Sequence, residues 1–256
     1  MQTAGGRDSK TVVDEALRIV AAANESKVVL RIFGAAAIRQ HCPNFGRMQD
    51  SLGRRIGDID LASYDRYSSK VSRLIKGLGY EEEVTVSAFG GGRLIFERAS
   101  DGMHCDVFLD RLRMSHVISF EKRLELDYPT VTLADLFLGK MQIFRLNEKD
   151  VIDTMVLLRE HAVGPTDAET INSRYVAELC SRDWGLWRTV SSNIEKVAGF
   201  LPVYDQLTEP DRSDISSKLS TIQGEIEAVP KSLAWRLRAR VGESRKWYSD
   251  VEELYR

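Results

Sequence analysis

The pattern of apolar and polar positions changes character about halfway along the chain. Over residues 9–23, Val12, Val13, Ala16, Leu17, Val20 and Ala21 recur at helical spacing behind Ser9, an acceptable N-cap, which predicts an opening amphipathic helix. Lys27 to Phe33 is rich in β-branched and aromatic residues and stops at Gly34, so a strand is expected there. Ala35, Ala36, Ala37 and Ile38 then suit the start of a tightly packed helix. Residues 41–57 hold Pro43, Asn44, Gly46, Gly53 and Gly57 with Arg47, Arg54 and Arg55, and read as an irregular basic loop. A second strand near Asp58 to Ala62 and a helix over about 66–78, closed by Gly77 and Gly79, follow.

Three more strands are expected at about 81–88, 93–98 and 103–109. Gly90, Gly91 and Gly92 separate the first two, and Asp101-Gly102 the second and third, as hairpin turns do. A glycine triplet can also cradle phosphate, but no helix start follows this one, which favours the turn. From residue 132 onward the pattern is almost wholly helical, broken near Asn147, Gly164-Pro165, Leu201-Pro202, Glu209-Pro210 and Pro230. The expected fold is therefore α/β (α+β): a mixed sheet flanked by helices over 1–130, then a C-terminal helical bundle over 131–256, with no internal repeat.

Composition narrows the class. A 43% hydrophobic content over 256 residues fills a proper core. No apolar run approaches the roughly 18–20 residues of a membrane span, and Met1 to Lys10 lacks the order of a secretory signal, so a cytoplasmic location without membrane contact is expected. Cys42, Cys105 and Cys180 lie far apart with no Cys-x-x-Cys pairing, which points to reduced thiols. A net charge of -2 argues against a globally basic nucleic-acid binder while leaving room for a local basic patch.

Candidate chemistry begins at Asp58-Ile59-Asp60-Leu61, where two carboxylates at i and i+2 of a strand leave one face while Ile59 and Leu61 pack on the other. Like charges forced together call for a cation, and hard divalent ions with oxygen ligands are the usual answer. Plain alternation on a half-solvated strand is the competing reading. Asp106, on another expected strand, can complete the cluster. Upstream, Phe33-Gly34-Ala35 ends a strand and opens a helix, where backbone N–H groups and the helix dipole can take phosphate oxygens.

These residues resemble the nucleotidyltransferase superfamily of the DNA polymerase beta type, with its glycine turn, its Asp-x-Asp and a third Asp on a later strand, over residues 28–110. Within it the chain looks most like the abortive-infection type II nucleotidyltransferases, which include toxins of toxin–antitoxin pairs. The stretches that carry this are Arg55-Ile56-Gly57-Asp58-Ile59-Asp60-Leu61 and Leu133-Ala134-Asp135-Leu136-Phe137-Leu138-Gly139-Lys140-Met141-Gln142. Where the family usually has Gly-Ser or Gly-Gly this chain has Gly34-Ala35, which leaves only backbone N–H contacts at the turn.

The resemblance implies transfer of a nucleotidyl group from an NTP to an acceptor hydroxyl. Asp58, Asp60 and Asp106 would hold Mg2+ or Mn2+, and Gly34, Ala35, Arg55 and Lys140 would contact the triphosphate. RNA, tRNA or protein would be the acceptor and an antitoxin the partner. An aminoglycoside-type enzyme acting on a small molecule, and a non-catalytic nucleotide-binding module, are the alternatives.

Other residues carry two readings each. Leu133, Leu136, Phe137, Lys140 and Phe144 form one helical stripe, so Lys140 points where the core should be and must snorkel or meet negative charge. Asp135 in Thr132-Leu133-Ala134-Asp135 has the form of a capping box. Asp153 either belongs to the site or makes a solvated pair with Lys149. Arg47, Arg54 and Arg55 either grip phosphate or line a solvated loop. His104 shares a face with Asp106 and reads mainly as a half-buried histidine. Trp184, Trp187 and Trp235 read as core.

Overall fold

The computed structural model describes residues 8–83 and 92–251. The expected strand over 81–88 is therefore seen only at its start, and Gly90 and Gly91 lie outside the described residues. The described residues belong to two compact units. Unit 1 is drawn from Met1–Gly46, Gly53–Leu112 and Ser119–Thr132, and unit 2 from Arg47–Leu52, Arg113–Ile118 and Leu133–Arg256.

Unit 1 opens with α1 (Ser9–Glu25), which buries Val12, Val13, Ala16 and Val20 of the expected stripe; Leu17 is only half-buried and Ala21 is exposed, while Ile19 and Ala23 complete the buried face. Its cap is Asp8 rather than Ser9: Asp8 accepts from Lys10 N, whereas the Ser9 hydroxyl is turned inward to accept from Ile56 N. β1 (Leu30–Phe33), α2 (Gly34–His41), β2 (Ile59–Ser63), α4 (Ser68–Gly77), β3 (Glu81–Glu82), β4 (Arg93–Arg98) and β5 (Met103–Leu109) complete the unit's main elements. The strands form one mixed sheet in the order β1-β2-β5-β4-β3. β1 runs antiparallel to β2, β2 parallel to β5, and β5 antiparallel to β4.

One face of this sheet has an apolar centre. Ile32 of β1, Ile59 and Leu61 of β2, Cys105 and Val107 of β5 and Phe96 of β4 are all fully buried. Because residues two apart share a face, the register places Phe33, Asp60, Asp106, Ile95 and Arg93 on the opposite face. The pleat thus puts Asp60, Asp106 and Arg93 on the face away from this apolar centre.

Unit 2 is mainly helical: Leu133–Met141, Glu148–Glu160, Ser173–Arg182, Trp184–Phe200, Glu209–Ala228 and Leu233–Val241. Asn147 caps the second of these by accepting from Asp150 N, and Thr208 with Asp211 forms a capping box on the fifth. Ile215, Leu219, Ile222 and Ile226 repeat at helical spacing along that fifth helix and are buried. Two departures from the expected pattern appear here. The basic loop contains a short helix, α3 (Arg47–Ser51), and the helical half contains a parallel ribbon of Ala162–Gly164 with Thr170–Asn172. Both are too short for periodicity to reveal.

Candidate active site

The site in unit 1 is built by strand register. Phe33 pairs with Asp60 across β1 and β2, and Asp60 pairs with Asp106 across β2 and β5, so the two carboxylates are direct neighbours on one face. Asp60 is half-buried and Asp106 is buried. Asp58 precedes the strand in a bend and is exposed.

Gly34 follows Phe33 with φ of +66°, a conformation that favours glycine. A Cβ there would lie 2.3 Å from Asp60 Oδ2, so the position demands glycine for a second reason: the Asp60 carboxylate rests against its Cα. The adjacent cap position, Phe33, gives the first turn of α2 no side-chain hydrogen bond. Ala35 lies buried behind it. The arrangement brings a carboxylate against a helix start whose leading backbone N–H groups have no side-chain cap, the combination that suits a bridged anion.

Arg93 is the residue sequence reading missed. Its Nη2 donates to Asp106 Oδ2 at 2.5 Å, and its guanidinium lies 5.0 Å from the Phe108 ring centre. Arg93 Nε and Asp106 Oδ1 are both buried without a hydrogen-bond partner. A buried carboxylate oxygen left unpaired is costly, and such groups recur where a ligand or ion completes the set. The signal available in the sequence was the Asp101-Gly102 turn: a hairpin closed there sets Arg98 opposite Met103 and carries Arg93 onto the face of Asp106.

The negative charge of the pair is felt by its neighbour. Burial pushes the Cys105 thiol well up, and Asp106 and Asp60 add to the effect, so the thiol stays protonated. His104 shares the face but stands opposite Glu97 in the register, with Nδ1 3.9 Å from Glu97 Oε2. Arg54 is buried and donates from Nη1 to the Arg55 carbonyl, so the solvated-loop reading of the three arginines fails for this one. Arg55 is exposed in unit 1, and Arg47 is exposed in unit 2.

Lys140 lies in unit 2, where its side chain is 14% exposed. The inward direction read from the stripe holds, and so does the need for negative charge, which Asp150 Oδ1 at 3.1 Å and Asp153 Oδ2 at 2.9 Å supply. Asp153 is fully buried and also accepts from Gln49 Nε2 at 2.7 Å, which corrects the reading of it as a solvated partner of Lys149. Asp135 is buried. Thr132, expected to cap with it, accepts at its hydroxyl from Arg123 Nη2. Trp184 is buried and Trp187 and Trp235 are half-buried; Trp187 meets Trp184 in a tilted contact and Trp235 edge-on.

Among the described residues, no set of three or more His, Cys, Asp and Glu side chains is grouped so as to hold a metal ion, and Arg93 is the cation that stands on Asp106. The two adjacent carboxylates, one with an orphaned oxygen, are oxygen donors of the kind hard divalent ions take. No helix among the described residues is long and apolar enough to cross a membrane. No protein-family model, curated protein or solved structure matches the chain.

Proposed function

We propose that the chain is a metal-dependent nucleotidyltransferase that moves a nucleotidyl group from an NTP to an acceptor hydroxyl. The observation that carries this reading is the Asp60–Asp106 pair, set side by side by register, with Asp60 packed on Gly34 at the start of α2 and Asp106 Oδ1 buried without a partner. Asp58, Asp60 and Asp106 would hold Mg2+ or Mn2+, which when bound supplies charge neutralisation for the triphosphate and for the departing pyrophosphate.

The chain's own residues do the rest. The backbone N–H groups of Gly34 and Ala35 receive phosphate oxygens at the start of α2. Arg93 releases Asp106 and turns its guanidinium to the triphosphate, so the cation that compensates the carboxylate in one state binds the substrate in the other. Arg55, exposed beside the pair in sequence, offers a second guanidinium. Lys140, with two carboxylates already on its ammonium, belongs in this reading to the stability of unit 2. The acceptor is RNA, tRNA or protein in the toxin-like version, whose antitoxin partner rests on the resemblance alone.

The test is transfer of label. Incubating the protein with each α-labelled NTP, Mg2+ and total RNA, protein or an aminoglycoside should label one acceptor class, and Asp60→Ala should abolish it. Label on the aminoglycoside alone would move the acceptor to the small-molecule class. NTP binding without transfer to any acceptor would reduce the chain to a binding module.

A further inference from the structure

Unit 2 carries a cavity of about 220 Å3 that the reading above does not use, with Phe144, Arg188, Thr189, Asn193, Lys196 and Trp247 around it. Two of the residues lining it, Phe144 and Trp247, are aromatic and held in place. Phe144 is stacked on Tyr248 with centroids 3.5 Å apart, Trp247 meets Phe144 edge-on at 5.4 Å, and Trp247 Nε1 donates to Thr189 Oγ1 at 3.2 Å. One side is equally fixed. Asn193 is fully buried and its Nδ2 donates to the carbonyls of Met141 and Ile143 at 2.9 and 2.8 Å, which leaves Oδ1 to accept from Lys196 Nζ at 3.2 Å.

The charges around this cavity do not balance. Arg188 is answered by Glu243, at 2.6 Å. Lys196 meets only uncharged groups among the described residues: the Asn193 side-chain oxygen, the Phe144 carbonyl at 3.4 Å and the Phe144 ring at 5.9 Å. Lys196 is exposed as a residue, and partial burial of its ammonium, with Arg188 nearby, pulls it below its usual range. Ser192 also lines the space.

We infer that this cavity binds a small aromatic phosphate monoester, with Lys196 and Arg188 holding the phosphate and Phe144 and Trp247 walling the ring. Two cations with one carboxylate between them favour an anion, and a lysine–arginine pair beside hydroxyls suits phosphate oxygens. The volume lies under the range of about 300–1,000 Å3 that takes drug-sized ligands, so the occupant is small. The rigid aromatic walls reward a flat ring at little cost in side-chain ordering.

The probe is phenyl phosphate, titrated into the full chain in EDTA, which keeps divalent ions from the unit 1 carboxylates. Tryptophan fluorescence, to which Trp247 contributes from the cavity wall, and calorimetry read the binding. Saturable binding with a Kd of about 1 mM or tighter is expected. Phenol should bind at least about tenfold more weakly, and so should inorganic phosphate. Lys196→Ala should weaken phenyl phosphate by about tenfold or more with an unchanged melting temperature, and Lys196→Arg should retain it. Asp60→Asn should leave the affinity as in wild type, which separates this cavity from the unit 1 site. No saturation by about 10 mM, equal binding of phenol, equal binding of inorganic phosphate, or an unaltered Lys196→Ala would each overturn the assignment.

Discussion

The two units each bury acidic side chains against a cation, and they do so in opposite ways. In unit 2, Asp153 is fully buried, yet its carboxylate meets Lys140 on one oxygen and Gln49 on the other, while Asp150 takes the same ammonium. In unit 1, Asp106 is held by Arg93 on Oδ2 only, and both Oδ1 and the Arg93 Nε are buried without partners. A saturated cluster is a structural network, expensive to break and of little further use. An unsaturated one costs stability in the resting state and retains capacity for a ligand.

Removing the central cation of the saturated cluster should have the largest effect. Lys140→Met leaves Asp150 and Asp153 buried without their ammonium and should cost about 3–5 kcal/mol, read as a shift in the denaturation midpoint. A loss under about 1 kcal/mol would erase the contrast with unit 1. Asp60→Asn tests the other side: transfer should fall by about 100- to 1,000-fold while the midpoint stays close to wild type.

Gly34→Ala joins the two kinds of effect. The added Cβ meets Asp60 Oδ2 and the φ of +66° is strained for alanine, so about 1–3 kcal/mol of stability and most of the transfer should be lost together. Arg93→Ala should leave the resting protein less stable, because Asp106 loses its cation, and should enlarge the rise in melting temperature that Mg2+ produces. Equal Mg2+ responses in Arg93→Ala and wild type would break the idea that guanidinium and metal compete for Asp106.

The smallest effect is in pH. Burial holds the His116 imidazole below its ordinary value of 6.5, with Nε2 2.8 Å from the Thr189 hydroxyl. The folded state thus binds protons less readily than the unfolded one. The stability this neutral histidine allows is fully present above pH 6.5 and is lost as pH falls through and below that value. The loss should not exceed about 1.4 kcal/mol per pH unit, and His116→Gln should flatten it in urea titrations.

These contrasts explain what the sequence made legible. Alternation alone placed Ile59 and Leu61 in the core and Asp60 on the other face, because a strand's period is local. The inward aim of Lys140 was readable from its stripe for the same reason. Its partners were not, since Asp150 and Asp153 stand on the following helix and Gln49 comes from far upstream, contacts that only packing creates. Arg93 required strand register as well as strand existence, and register depends on where a hairpin closes. Arg54 folds onto its own backbone neighbour, a loop geometry no periodicity describes. Asp8 took the cap from Ser9 because the Ser9 hydroxyl is spent on Ile56 N, a contact 47 residues away.

The central claim, that the Asp60–Asp106 pair serves nucleotidyl transfer, is tested most directly by following both ends of the triphosphate. With Mg2+ and an acceptor mixture, α-labelled NTP should leave its label on the acceptor and γ-labelled NTP should release it as pyrophosphate, both dependent on Asp60 and Asp106. Retention of the γ-label on the acceptor, or no transfer of the α-label with any NTP, would contradict the account.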